Sequence, residues 1–215
     1  MRIKLQTTNI ETIVREEVQN DPLLEEALQL YQQEKEHIAK INGWWEKKAY
    51  AFQLPVPTLS PTEIALFCQN EEQHDAFSYY LNSLIQKSYK EGNNNFTLTF
   101  NIPHDDLLSQ VQGTKEQPLK ITINSNTKDY CAYESKHLNL TINGNTGNNC
   151  AYGSEHLNLT INGNTGENSG LLSKNTTITI NGTIGEYPST NPTYTTNNQE
   201  TYEYLKKNNF DVTLR

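Results

Sequence analysis

Residues 131–149 read CAYESKHLNLTINGNTGNN, and nineteen positions later residues 150–168 read CAYGSEHLNLTINGNTGEN; no other feature of this 215-residue chain restricts its fold as much. The next nineteen residues, SGLLSKNTTITINGTIGEY at 169–187, keep the register, and a partial copy, LKITINSNTKDY, ends at Tyr130. Ile123, Ile142, Ile161 and Ile180 then share one column, and Ile121, Leu140, Leu159 and Ile178 share another. Thr122, Thr141, Thr160 and Thr179 lie between them, and Asn124, Asn143, Asn162 and Asn181 follow. Phe96, Leu98 and Phe100 begin an irregular earlier coil, with Phe96 set 23 residues before Leu119.

A period near twenty is the signature of a solenoid. Each unit holds one alternating run, with Leu138, Leu140 and Ile142 inward and Asn139, Thr141 and Asn143 outward. Asn143-Gly144 and Asn162-Gly163 are hairpin signals. The residues after them, Asn-Thr-Gly-Asn-Asn, supply no second apolar strand, so the partner of each run is the same run one repeat away and the pairing is parallel. A lone coil cannot fold, because three buried aliphatic side chains gain far less than the entropy lost in ordering nineteen residues. Coils stacked about 4.8 Å apart satisfy one another and merge their apolar columns. The crossover preference makes the winding right-handed, and the two open ends need covers.

The flanks are suited to covering. Residues 1–92 are helical and amphipathic: Asp21-Pro22 starts a helix carrying Leu24, Leu28 and Tyr31, ended by Asn42-Gly43. Ser60-Pro61-Thr62-Glu63 is a capping box that opens a second helix, and Phe77, Tyr80, Leu81 and Leu84 form a further apolar stripe closed by Gly92. Pro55 and Pro57 make the connector extended. Beyond the repeat, Pro188 and Pro192 interrupt the ladder, Asn197 with Glu200 caps a short helix through Lys207, and residues 210–214 add a last strand. The expected fold is α+β: a helical region at 1–92, a short right-handed parallel β-helix of 19-residue coils at 93–189, and a C-terminal cap at 190–215.

Gly163, Gly166 and Gly170 give G-x-x-G-x-x-x-G, followed by inward Ile178 and Ile180 and then Asn181-Gly182. Over about residues 112–189 this resembles the GXGXG-type right-handed β-helix found at the C-terminal end of the large chain of glutamate synthase and in the β-helical chain of formylmethanofuran dehydrogenase. Ala132 and Ala151 depart from the pattern at the third glycine, Ser125 and Lys128 at the first two, and Ser154 and Ser173 stand where that family often has methionine. The resemblance implies a supporting element, or one that contacts other chains of an assembly, with catalysis in other domains. Glycines 144, 147, 163, 166, 170, 182 and 185 are the expected corner residues, placed there for their tolerance of positive φ. The Asn column is expected to hydrogen-bond along the stack.

Candidate chemistry is sparse. Cys131 with Cys150 and His137 with His156 recur one coil apart, but these ladders run along the axis and do not converge as zinc ligands must; a corner-filling Cys ladder and a solvent-facing His ladder are expected. His104-Asp105-Asp106 follows Pro103 and reads as a solvated turn or helix start. Trp44-Trp45 is either a packing anchor or a partner surface. No nucleophile elbow, P-loop, HExxH or CxxC motif is present. The net charge of −8 and pI near 5.1 argue against nucleic acid, whose binding needs Lys and Arg to displace counterions. Three cysteines and no apolar leader or long apolar run point to a cytoplasmic protein without a membrane segment. On the same ground the sequons at Asn95, Asn139, Asn158, Asn175 and Asn181 are not expected to carry glycans.

The expectation is a non-enzymatic scaffold or protein-interaction module, with no cofactor or metal, meeting a protein partner or a second copy of itself. A non-catalytic subunit of a larger redox or amidotransfer complex is the alternative. A flat Thr-x-Asn face also admits an ice-binding surface.

Overall fold

The computed structural model describes residues 21–70 and 72–215. What was expected of residues 1–20 lies outside the described residues.

Helix α1 (Pro22–Lys40) starts where the Asp21 carboxylate accepts the backbone N–H groups of Leu23 and Leu24, both at 3.1 Å. Helix α2 (Trp44–Gln53) is one the apolar periodicity did not single out. It buries only Lys48 and Ala51 fully, so it carries no apolar stripe to read. Helix α3 (Pro61–Gln69) has the reciprocal cap expected at Ser60 and Glu63, at 3.3 and 2.6 Å. Helix α4 (Ala76–Lys90) is the central one. Tyr31, Phe67, Phe77 and Tyr80 form a ring cluster with centroids 5.3–6.0 Å apart, tying α1, α3 and α4 together.

A single seven-stranded sheet follows: β1 (Asn95–Leu98), β2 (Leu119–Ile123), β3 (Lys136–Ile142), β4 (Glu155–Ile161), β5 (Thr177–Ile180), β6 (Thr193–Thr196) and β7 (Val212–Leu214), stacked in chain order with every neighbour parallel. This is a parallel β-solenoid in an α+β protein. Leu138 pairs with Leu157 and Ile142 with Ile161, nineteen residues apart, and the inward columns are buried.

The ends depart from the repeat. Phe96 pairs with Ile121, so the first coil spans 25 residues; the register counted from Phe96 to Leu119 is two residues off. Most of the excess is the turn at 114–118, which a repeat comparison cannot see because the other coils lack it. Pro188 and Pro192 do not interrupt the ladder. Thr177 pairs with Thr193 and Tyr194 with Val212, so shortened coils of 16 and 18 residues carry the sheet through residues 190–215. Proline is tolerated because each lies before the next strand and not within it. Tyr194 takes the inward place of Ile178 and is fully buried. Helix α5 (Gln199–Lys207) returns the chain to β7; its cap is Asn198, whose Oδ1 accepts from the Thr201 N–H at 2.9 Å, in place of the expected Asn197.

Covering at the N-terminal end is a matter of hydrogen bonds as well as packing. Helix α3 lies against β1. On α4 the residues at spacings of four, four and three, Ser78, Asn82, Gln86 and Tyr89, face the corner of the first coil. Ser78 Oγ donates to the Asp105 carbonyl, Asn82 donates to the Asp106 carbonyl and accepts from the Leu108 N–H, Gln86 does the same with both backbone groups of Gln112, and Tyr89 donates to the Gln117 carbonyl. Backbone groups that a further coil would have satisfied are satisfied by side chains of a helix.

Candidate functional site

Equivalent residues in the regular coils satisfy one another. In the outward Asn column, Asn143 donates to Asn124, Asn162 to Asn143 and Asn181 to Asn162, at 2.6–2.7 Å. A second column, at 126, 145 and 164, was not singled out by the sequence: each Asn Oδ1 accepts the backbone N–H one coil on, at 2.8–2.9 Å. Thr122, Thr141 and Thr160 are half-buried, but Thr179 is buried and shares a 2.6 Å hydrogen bond with Thr195, so the fourth threonine is not part of an exposed face. The columns of Ile123, Ile142, Ile161 and Ile180 are core.

The glycines need a different explanation from the expected one. Gly170 has positive φ, at 72°, but Gly144, Gly147, Gly163, Gly166, Gly182 and Gly185 do not. At those positions the coils approach too closely for a side chain: a Cβ on Gly163 would stand 2.6 Å from the Gly144 carbonyl oxygen, and one on Gly182 2.5 Å from that of Gly163. The left-handed corner residues are mostly not glycine. Tyr130, Asn149, Asn168 and Tyr187 have φ of 55–60°, as do Ala132 and Ala151 in the column of Gly170, at 57° and 60°.

Cys131 and Cys150 are free and fully buried, and the hydrogen bond from Cys131 together with burial raises the Cys150 thiol pKa well above its usual value. The rings of His137 and His156 stack at 4.7 Å and 3°. Among the described residues no three or more His, Cys, Asp or Glu side chains converge to hold a metal, and no helix is long and apolar enough to cross a membrane.

The singular residues gather where the helices meet the first coil. His104-Asp105-Asp106 is not a solvated turn. His104 is buried and stacks on Phe77 at 4.5 Å, and only Asp105 is exposed. Asp106, with φ of 58°, accepts the Trp44 Nε1–H at 2.7 Å and the Tyr79 hydroxyl at 2.9 Å. Trp44 stands edge-on to Tyr133, centroids 4.4 Å apart. Lys48, one helical turn from Trp44, places Nζ 3.0 Å from the Trp44 ring centroid and 5.1 Å from that of Tyr133. It is 2 % exposed, and its Nζ has no hydrogen-bond partner among the described residues. Burial lowers its pKa to about 7, against the opposing pull of the Asp106 and Glu134 carboxylates. Burial likewise pushes the Tyr133 hydroxyl up to about 12.

Two cavities open here. One of about 370 Å³ is polar and includes Asp75, Asp105, Asp106 and Asp129 with Lys47 and Lys128. The other, of about 320 Å³, is lined by Trp44, Asp106, Tyr130 and Tyr133. Trp45 and Tyr130 are exposed beside it, at 53 % and 39 %. Trp44-Trp45 thus divides its roles: Trp44 is the anchor between helix and solenoid, and Trp45 faces solvent. Neither Lys48 nor Asp106 was singled out alone by the sequence, since each occurs once and gains its meaning from partners 85 and 62 positions away in Tyr133 and Trp44.

Comparison with protein families, curated proteins and solved structures finds no match to this chain.

Proposed function

We propose that the protein is a non-enzymatic β-solenoid scaffold or interaction module of the cytoplasm, and that it meets its partner at the junction between the helices and the first coil. The observation that carries this reading is the placement of unlike residues. The Asn columns of the regular coils bond to neighbours of the same kind, and Leu172 and Tyr187 are exposed there without lining either cavity, whereas the junction presents Trp45 and Tyr130 to solvent beside a cavity lined by Trp44, Asp106, Tyr130 and Tyr133. Aromatic side chains are enriched at recognition surfaces relative to the rest of a protein's exterior. Cys131 and Cys150, free and buried, agree with a reducing compartment.

The glycine spacing favours a second reading, a non-catalytic subunit of a larger redox or amidotransfer assembly, since the GXGXG-type β-helices it resembles serve as supporting elements. An ice-binding face is less favoured, because the Asn groups flanking the threonines are already bonded to one another and Thr179 is buried.

A photo-crosslinking residue at position 45, compared with one at 143 on the Asn ladder, tests the junction. Crosslinking in the native cells is expected to give one discrete adduct at 45 and none at 143. Adducts at 143 alone, or a lone uncrosslinked chain at both, would refute the reading.

A further inference from the structure

We infer that the cavity lined by Trp44, Tyr130, Tyr133 and Asp106 is a binding site for a quaternary ammonium group. Three of its four lining side chains are aromatic and the fourth is a carboxylate. The rings do not lie in one plane: Trp44 and Tyr133 are inclined at 84° and Tyr130 and Tyr133 at 66°, with centroids 4.4 and 5.9 Å apart. Aromatic rings lining a cavity together with a carboxylate suit a compact organic cation. The charge of the surroundings has the right sign, since Asp75, Asp105, Asp106 and Asp129 outnumber Lys47 and Lys128 around the adjoining cavity and the chain carries a net −8.

The choice of a cation without N–H groups follows from what the site has already used. Both carboxylate oxygens of Asp106 accept hydrogen bonds, from Trp44 and from Tyr79. Lys48 shows how an ordinary ammonium fares against these rings: its Nζ lies over Trp44 and Tyr133, buried, with no acceptor for its protons among the described residues. The rings face the charge, but nothing serves the donors. A trimethylammonium group has no donors to leave unsatisfied. Asp106 is held ready for this by its backbone as well, at a φ of 58° that Asn82 and Asp129 lock through hydrogen bonds to its carbonyl and N–H.

This inference deepens the junction reading and rests on it for the location of binding, but a small cation needs no partner protein, so the two can fail separately. The test is titration of the full chain with choline and with 3,3-dimethylbutan-1-ol, its neutral isostere, followed by the fluorescence of the two tryptophans, Trp44 and Trp45. Choline is expected to bind at least about tenfold more tightly, the worth of one cation–π site. Tyr130→Asn removes a wall without straining the corner, because Asn149 and Asn168 occupy the equivalent left-handed positions. It is expected to weaken choline by about tenfold. Tyr187→Asn, in the same column at the far end of the repeat, is expected to leave binding unchanged. Equal affinity for the alcohol and for choline, no saturable response to choline, or indifference to Tyr130→Asn would each overturn the assignment. A trimethyllysine peptide and phosphatidylcholine vesicles then assign the source: the carrier that binds more tightly than choline is the ligand's bearer, and if neither does, the ligand is a free ammonium compound.

Discussion

The coils between β2 and β5 and the junction at the first coil are built from the same kind of chain yet solve opposite problems. In the regular coils polar groups find their partners by translation through one repeat, as Asn143 does with Asn124 and Asn162. At the junction translation ends, and each group must find a partner of a different kind: the Asp106 carbonyl bonds Asn82 of a helix, and the Lys48 ammonium finds only rings. Redundancy makes the coils stable and chemically bland. Loss of redundancy is what concentrates unusual residues at one end.

That contrast can be broken most forcefully in the repeat. Gly163→Val puts a branched side chain where even a Cβ meets the Gly144 carbonyl at 2.6 Å, and backbone cannot step aside as a side chain would. Chemical denaturation should show a loss of more than about 3 kcal/mol. Gly92→Ala, with nothing within 4 Å but a φ of 101°, should lose only about 1 kcal/mol. Equal losses would mean that close approach of the coils is not the reason for the glycines.

Lys48→Met should act in the opposite direction, and with a pH dependence. Lysine unfolded titrates near 10.5 and Lys48 folded at about 7, so between these values the unfolded chain holds a proton that the folded chain does not. Stability therefore rises with pH across that window, and below pH 7, where both states are protonated, the full cost of burying the charge is present. Each pKa unit is worth about 1.4 kcal/mol. Methionine keeps the packing and removes the charge, so the variant should be more stable than the parent by a few kcal/mol at pH 6, with the difference shrinking toward pH 10. Melting curves across pH measure it, and a constant difference would show that Lys48 is not buried as a charge.

The smallest effect tests redundancy itself. Asn143→Ala removes one donor and one acceptor from an exposed ladder and should cost about 1 kcal/mol. Asn198→Ala, which removes the cap of α5 at a place with no repeat to share the loss, should cost as much for a single lost bond. A ladder variant several times worse than the cap variant would show cooperativity along the Asn column.

Where the repeat is intact, the fold is legible in the residues: nineteen-residue spacing places Ile142 opposite Ile161, and Asp21 and Ser60 mark two helix starts. Legibility fades where single residues stand in for repeated ones. Tyr194 and Val212 replace isoleucine in the terminal rungs, so Pro188 and Pro192 suggest a break in a ladder that in fact continues. The 25-residue first coil hides its register behind one insertion. Of the junction, only the Trp44-Trp45 pair and His104-Asp105-Asp106 stand out along the chain. The second reads as solvated surface, because local spacing cannot place Phe77 against His104.

The period of the apolar side chains was enough by itself to determine a parallel stack, because one amphipathic strand per repeat can be satisfied only by its own copy. Which residues crowd together at the end of that stack was decided by tertiary structure alone. Helical spacing links Lys48 only to Trp44, and the helices and the first coil are not copies of one another, so no rule of spacing links that pair to Asp106 and Tyr133; only the packing of α2 and α4 on the unpaired corner brings them within reach.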